Sequence, residues 1–162
     1  MNDEILSRIS ALETRLQRVE DELAITQMLA AYGPLVDAGE PEPVAALWAE
    51  DGSYSVEGWT MLSRTDVHSM VTSDAHQGLI SHGSCHFLGP ARVKVTGESA
   101  TAVCPSILVV HHEGRYHAYR AGANHFRLRR SPEGWQISER ITLALDGSEE
   151  ARELFSDSKF SG

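Results

Sequence analysis

The first 23 residues carry an apolar stripe whose spacings alternate between four and three. Its positions are Ile5, Ile9, Leu12, Leu16, Val19 and Leu23. Polar side chains fill most positions between them, which predicts a helix with the a and d seam of a heptad repeat. A free helix of about three heptads is marginal. We therefore expect the seam to pack on another subunit.

The helical pattern continues from Asp21 to about Val36, and Gly39 with the prolines at 41 and 43 ends it. We predict a short helix over 43–49, a strand over 53–57, and a helix that starts near Ser63 or Thr65 and runs to about Thr72.

From residue 79 the pattern becomes that of strands. Alternating or β-branched segments cover 80–88, 91–96, 100–111, 116–129 and 135–145. Helices followed by long antiparallel strands predict an α+β domain, with the helices on one face of a curved sheet. We divide the chain into an N-terminal heptad helix over 1–20, the domain over 21–146, and a polar tail over 147–162.

Composition limits the classes of partner. The chain has 162 residues, of which 41% are apolar, enough for one domain with a core. A net charge of -9 with scattered basic residues argues against nucleic acid and anionic membranes as partners. The chain shows no bilayer-length apolar run and no signal-peptide core. With only two cysteines, expected to be thiols, it is predicted to be cytoplasmic.

Two titratable residues stand in otherwise apolar or small-residue stretches, Asp37 and His86. A carboxylate that holds an imidazole makes a general base near neutral pH. The residues themselves leave simpler alternatives open. Asp37 at a helix end can face water, Tyr32 can be core, and a histidine on a strand can be structural.

A metal site is a further alternative. His82, Cys85 and His86 crowd one segment, and one of His111, His112, His117 or His125 would complete the ligands. The spacing is not that of a compact zinc motif, and alternation puts Cys85 and His86 on opposite faces of a strand. We therefore predict no metal. A nucleophilic Cys85 is not favoured either, because no neighbour marks its thiolate as stabilised.

The ordered set of segments resembles a known family. The segments are EDELAITQMLAAY (20–32), VDAG (36–39), ALWAEDG and SYSVEG (46–58), His86, ARVKV (91–95) and GWQIS (134–138). They resemble the SnoaL-like branch of the nuclear transport factor two superfold, over residues 20 to about 143. That branch includes polyketide cyclases, scytalone dehydratase, bile acid dehydratase and lindane dehydrochlorinase.

The resemblance implies a cone-shaped α+β barrel with a deep apolar pocket. It also implies that an aspartate ending the first long helix bonds a histidine from the strand region, positions that Asp37 and His86 match. Tyr32 matches a tyrosine of the bile acid dehydratase type, and His111 is a loose match to a second histidine of scytalone dehydratase. Two relatives carry an arginine near the end of the last strand, where this chain has Leu143-Ala144-Leu145; Arg140 is the nearest candidate.

These implications predict a cofactor-independent lyase or isomerase, most simply a dehydratase-type elimination, acting on a small, largely apolar carbonyl or hydroxyl compound. Asp37 would orient His86 as the base, and Tyr32 would donate to the oxygen that gains charge or departs. Five further residues are candidate substrate contacts: Tyr54, Trp59, Phe87, His111 and Asn124.

The family also contains non-catalytic members, notably β subunits of ring-hydroxylating dioxygenases. The alternative is therefore a non-catalytic binding or assembly subunit. In either case we expect a homo-oligomer, since trimers and dimers both occur among the proteins that the chain resembles.

Overall fold

The computed structural model describes residues 2–156. Its helices are α1 (Asn2–Ala38), α2 (Pro41–Ala46), α3 (Arg64–Thr72), α4 (Asp74–His82) and α5 (Glu149–Glu153). Its strands are β1 (Trp48–Val56), β2 (Trp59–Met61), β3 (Ser84–Leu88), β4 (Arg92–Thr96), β5 (Ser99–His112), β6 (Arg115–Ser131) and β7 (Gly134–Ala144). No helix among these residues is long and apolar enough to cross a bilayer.

The strands form one curved sheet that remains open, in the order β2-β1-β7-β6-β5-β3, with β4 also paired to β5. Neighbours are antiparallel except β1 and β7, which run parallel. Register shifts at Leu108/Val109 and Arg127/Leu128 interrupt the long β5–β6–β7 ladders. Such irregularities bend strands and increase their twist. The predicted α+β class, with helices packed on a curved sheet, is confirmed.

The second half of α1 covers the sheet. Ile25, Leu29 and Val36 are buried at helical spacing and join a core that includes Trp48 and Phe126. The helix ends where it does because Gly39 adopts a φ of +69°, a left-handed conformation that suits glycine. This ending leaves residue 37 in the last helical turn.

The first half of α1 extends beyond the domain. Residues 3–20 are exposed, and Asp21 is the first buried residue. Its carboxylate accepts hydrogen bonds from Arg130 Nη2 at 2.6 Å and Trp135 Nε1 at 3.1 Å. One continuous helix therefore crosses the predicted boundary at residue 20. In the predicted tail, residues 149–153 are helical, and residues 157–162 lie outside the described part of the chain.

The prediction of a strand beginning at residue 80 is wrong. Residues 74–82 form α4, and the strand starts only at Ser84. Ser73 caps the helix by accepting a hydrogen bond from the His76 N–H at 3.3 Å, and Gly83 ends it with a φ of +103°. Leu79 and Ile80 suggested a strand because two adjacent apolar residues fit a buried strand as well as a short helix.

Candidate active site

A cavity of about 320 Å³ opens between the sheet, α1 and the short helices. Six of its lining residues bear on function: Tyr32, Tyr54, Trp59, His86, Phe87 and Arg140. Tyr32, Tyr54 and Arg140 are buried, whereas Trp59 and Phe87 are 53% and 56% exposed and lie at the rim. The cavity therefore has apolar and aromatic walls that hold an imidazole and a buried guanidinium, and its lining also includes the ion pair of Arg120 with Glu57.

Asp37 and His86 are in direct contact. His86 Nδ1 lies 2.6 Å from Asp37 Oδ1, and the His86 backbone N–H donates to Asp37 Oδ2, also at 2.6 Å. Ser84 Oγ donates to Asp37 Oδ1 at 2.7 Å. Ser84 and His86 are two residues apart on β3, so both side chains point to the side that α1 covers. Because an ionised carboxylate only accepts, the ring proton lies on Nδ1 and Nε2 carries the lone pair.

The two groups affect each other's ionisation. Burial alone raises the pKa of the Asp37 carboxyl, but hydrogen bonds from His86 and Ser84 outweigh it and the pKa lies below its ordinary value. Burial lowers the pKa of the His86 ring, and the opposing effect of Asp37 does not restore it to the ordinary 6.5. At neutral pH the pair is therefore a carboxylate and a neutral imidazole, the protonation state of a general base.

A close approach between α1 and β3 makes this contact possible. A Cβ on Gly33 would lie 1.9 Å from the carbonyl oxygen of His86. Only glycine allows the helix to lie this near the strand. Gly33 precedes Asp37 by one helical turn, so this contact sets the distance at which the carboxylate meets the ring.

Arg140 is buried on β7, between Tyr54 of β1 and Phe126 of β6. The carbon at the centre of its guanidinium lies 4.3 Å from the Tyr32 ring centroid and 4.4 Å from that of Tyr54. Asn124 Oδ1 accepts from Nε at 3.3 Å and from Nη2 at 2.9 Å. The third nitrogen, Nη1, has no hydrogen-bond partner in the described structure.

Burial also determines the state of two neighbouring groups. It raises the pKa of the Tyr32 hydroxyl above its ordinary value, so this residue remains a phenol and a hydrogen-bond donor. Burial raises the pKa of the Cys104 thiol to about 11, which keeps it protonated and unreactive at neutral pH.

The remaining candidates lie outside the cavity wall. Asn124 is fully buried behind Arg140, where its amide also donates to the Cys104 carbonyl at 3.2 Å. His111 does not line the cavity; it lies in a separate surface depression with His117, and its ring contacts Tyr116. No three of the described His, Cys, Asp and Glu residues are arranged to hold a metal ion.

Three features of the site were not predicted from the sequence. Ser84 donates a hydrogen bond to the carboxylate of Asp37. Its position two residues before His86 places both side chains on the same face of a strand, and this spacing could have predicted the contact. His76 is buried on α4 with Nε2 2.8 Å from the Val36 carbonyl oxygen, and its ring centroid is 5.8 Å from that of His86. The assignment of 80–88 as a strand concealed this helix. Arg140 was named only as the nearest arginine, and its burial has no sequence signal.

Comparison with solved structures gives the family context. An NTF2-like protein with a cystatin-like fold from Novosphingobium aromaticivorans superposes with a TM-score of 0.89 at 39% identity. The match covers 91% of this chain and 96% of that one.

Two more distant structures from the same organism share the fold. The beta subunit of a candidate aromatic-ring-hydroxylating dioxygenase has 22% identity and a TM-score of 0.66, over 80% of this chain and 91% of that one. A candidate scytalone dehydratase has 16% identity and a TM-score of 0.61, over 89% of this chain and 88% of that one. No functionally curated protein matches significantly. The sequence profile of the SnoaL-like domain matches residues 17–141, and the chain belongs to the SnoaL-like family.

Proposed function

We propose that the protein is a cofactor-independent lyase or isomerase in which His86, held by Asp37, removes a proton from a small, largely apolar carbonyl or hydroxyl compound. A dehydratase-type elimination is the simplest form of this chemistry. The observation that carries the proposal is the 2.6 Å contact between His86 Nδ1 and Asp37 Oδ1 in the wall of a cavity.

The base step uses the free ring nitrogen. Among the described residues, His86 makes its hydrogen bonds through Nδ1 and the backbone N–H, which leaves Nε2 for the substrate. Nε2 would take a proton from a carbon next to a carbonyl, or opposite a leaving group. The Asp37 carboxylate stabilises the imidazolium that forms, as in other carboxylate–histidine pairs.

The opposite charge develops on a substrate oxygen. Arg140 supplies a permanent positive charge with one nitrogen unsatisfied, and Tyr32 supplies a phenol that stays protonated. Both line the cavity, together with Tyr54. Donors fixed in a site that excludes water stabilise a developing oxyanion far better than they would in water. These side chains supply a base, a cation and proton donors, so the proposed chemistry needs no bound cofactor.

The size and lining of the cavity limit the substrate. A volume of about 320 Å³ lies at the small end of ligand pockets, which range over about 300–1,000 Å³. Met61, Leu88 and Leu108 line the walls with apolar surface. These features favour a compact, mostly apolar compound with one oxygen function near Arg140.

The test measures proton removal directly, so that the later fate of the substrate does not matter. The protein is incubated in D₂O with a panel of small cyclic and aromatic ketones and β-hydroxy carbonyl compounds, and deuterium uptake or water loss is followed by mass spectrometry. We expect His86→Gln and Asp37→Asn to lose about a hundredfold or more of the rate.

His68→Gln is the matched control, because His68 Nε2 also contacts a carboxylate, Glu42 Oε1 at 3.3 Å, but on the exposed surface. This variant should keep the full rate. The proposal is wrong if His86→Gln and Asp37→Asn fold and react as fast as the parent.

A non-catalytic binding or assembly subunit is the competing function. It predicts no exchange with any compound of the panel and purification with a larger partner. The buried cation and oriented imidazole favour catalysis, because an assembly subunit has no use for either in a cavity that small molecules can enter.

A further inference from the structure

The apolar stripe of the N-terminal helix is uncovered. We call its residues the N-terminal seam: Ile5, Ile9, Leu12, Leu16, Val19 and Leu23. Each is between 46% and 59% exposed. Contiguous exposed apolar surface of this kind marks an interaction site.

The seam faces away from the domain to which it is attached. On an ideal helix, Leu16 of the seam and Ile25, which packs on the sheet, lie about 180° apart. Asp21, which is anchored by Arg130 and Trp135, occupies the f position of the heptad, the position farthest from the seam. A second helix can therefore lie along the seam without meeting the sheet.

The residues beside the seam carry a specific charge pattern. In the register that places Ile9 and Leu16 at a, the first two g positions are Arg8 and Arg15, and the e positions that follow them are Glu13 and Glu20. These four residues are exposed. The last g position is Glu22, and the e position that follows it is the neutral Gln27. In a parallel coiled coil, a g residue faces the e residue five positions later on the partner. Each arginine would then face a glutamate.

An antiparallel arrangement gives a different result. There, g positions face g positions and e positions face e positions. With the two seams fully overlapped, Arg15 would meet Arg15 and Glu13 would meet Glu13, and only Arg8 would meet an opposite charge, Glu22. Like charges in direct opposition destabilise pairing. The flanking charges therefore favour a second copy of this chain in the parallel orientation.

We propose that residues 2–23 of α1 pair in parallel and in register with the same segment of a second copy of the chain. The short length of the seam does not prevent this. A free peptide must first meet the cost of helix nucleation, but here the helix is continuous with the half of α1 that packs on the sheet. Association then only has to bury a surface that is already helical.

The first experiment measures mass by sedimentation equilibrium of the full chain. We expect a concentration-dependent species of twice the 17.8 kDa chain mass. Leu12→Gln in the seam should shift it to monomer. Ser10→Gln, at the outward-facing b position, should leave it unchanged. A parent protein that remains monomeric at several hundred micromolar overturns the proposal.

The second experiment tests the charges. Arg8→Glu with Arg15→Glu places like charges in all four g–e contacts and should weaken association about tenfold or more. High salt should reduce this loss, because it screens repulsion between exposed charges. Adding Glu13→Arg and Glu20→Arg to the same chain restores opposite charges and should restore association. Failure of the fourfold variant to recover overturns the parallel register.

The third experiment fixes the orientation. Because Cys85 is exposed, every variant in this experiment also carries Cys85→Ser. The buried Cys104 is kept. Ile5→Cys should give a disulfide-linked pair of chains under mild oxidation, because parallel d positions face each other. In an antiparallel pair residue 5 would lie about 27 Å from its counterpart. Crosslinking instead between an Ile5→Cys chain and a Leu23→Cys chain overturns the proposal.

Discussion

Replacing Asp37 with asparagine tests the centre of the site with the smallest change in shape. The carboxylate accepts three hydrogen bonds: from His86 Nδ1, from the His86 backbone N–H, and from Ser84 Oγ. An amide has only one accepting oxygen, and its NH₂ group must take the place of the other. The substitution therefore forces one of two defects, depending on which way the amide turns.

If the NH₂ group replaces Oδ2, it faces the backbone N–H of His86 and leaves that donor unsatisfied, at a cost of about 1–3 kcal/mol. If it replaces Oδ1, it faces Nδ1, and the imidazole must move its proton to Nε2 to accept. That tautomer has no lone pair for the substrate. In a serine protease, the wrong tautomer lowers kcat by a factor of about 10⁴. In either orientation the negative charge that stabilises the imidazolium is lost, so Asp37→Asn is expected to lose about a hundredfold or more of the rate, and it also loses stability where the His86 N–H is left unsatisfied.

The assay combines thermal unfolding with the deuterium-exchange rate. For a domain of this size, each 1 kcal/mol lowers Tm by about 2–4 °C. Asp51→Asn is the control, because Asp51 is an exposed carboxylate that bonds Arg129, and its loss should change Tm and rate little. Equal Tm and equal rates for Asp37→Asn and Asp51→Asn would show that the Asp37 carboxylate neither holds the fold nor orients His86.

Three further predictions follow from the same geometry. The logarithm of kcat/KM should rise with pH to a plateau, with its midpoint below pH 6.5, because the His86 pKa lies below its ordinary value and only the neutral ring is a base; a midpoint above 6.5 contradicts this. Gly33→Ala should cost about 1–3 kcal/mol in urea unfolding, since its Cβ meets the His86 carbonyl. Gly78→Ala, with open space around it on α4, should not destabilise the fold. Arg140→Met should lower kcat about a hundredfold while the protein stays folded; a small effect on kcat would exclude Arg140 from charge stabilisation.

The fold was predictable because the sequence patterns that indicate its main helix and strands extend over many residues. The apolar period in α1 extends over many turns. Strands β5 to β7 are more than ten residues long each, contain alternating or β-branched stretches, and have clear turns between them. The α4 helix was missed because nine residues give only two turns, too few for the helical period to outweigh Leu79 and Ile80. Ser73 and Gly83, its cap and its terminator, were the better signals.

The site was less predictable because its contacts are distant in sequence. Asp37 and His86 are 49 positions apart, and only the resemblance to the SnoaL-like family paired them before the structure. Asn124 was expected to contact the substrate, yet it is buried behind Arg140 and accepts two hydrogen bonds from its guanidinium. His111 was matched to a histidine of scytalone dehydratase by its position in the sequence. Strand β5 carries a register shift at Leu108/Val109, which such a match does not detect.

Arg140 relates the stability of the domain to its proposed chemistry. A buried guanidinium is costly unless it is paired and fully hydrogen-bonded. In residues 2–156 no carboxylate forms an ion pair with it, and its partners are one amide oxygen and three aromatic faces. This environment holds the cation without neutralising it, and Nη1 remains unsatisfied. A substrate oxygen that gains negative charge would complete the set of partners. The interaction between Arg140 and this oxygen would then be stronger in the transition state than with the bound substrate. Such a difference is what lowers the barrier of a reaction.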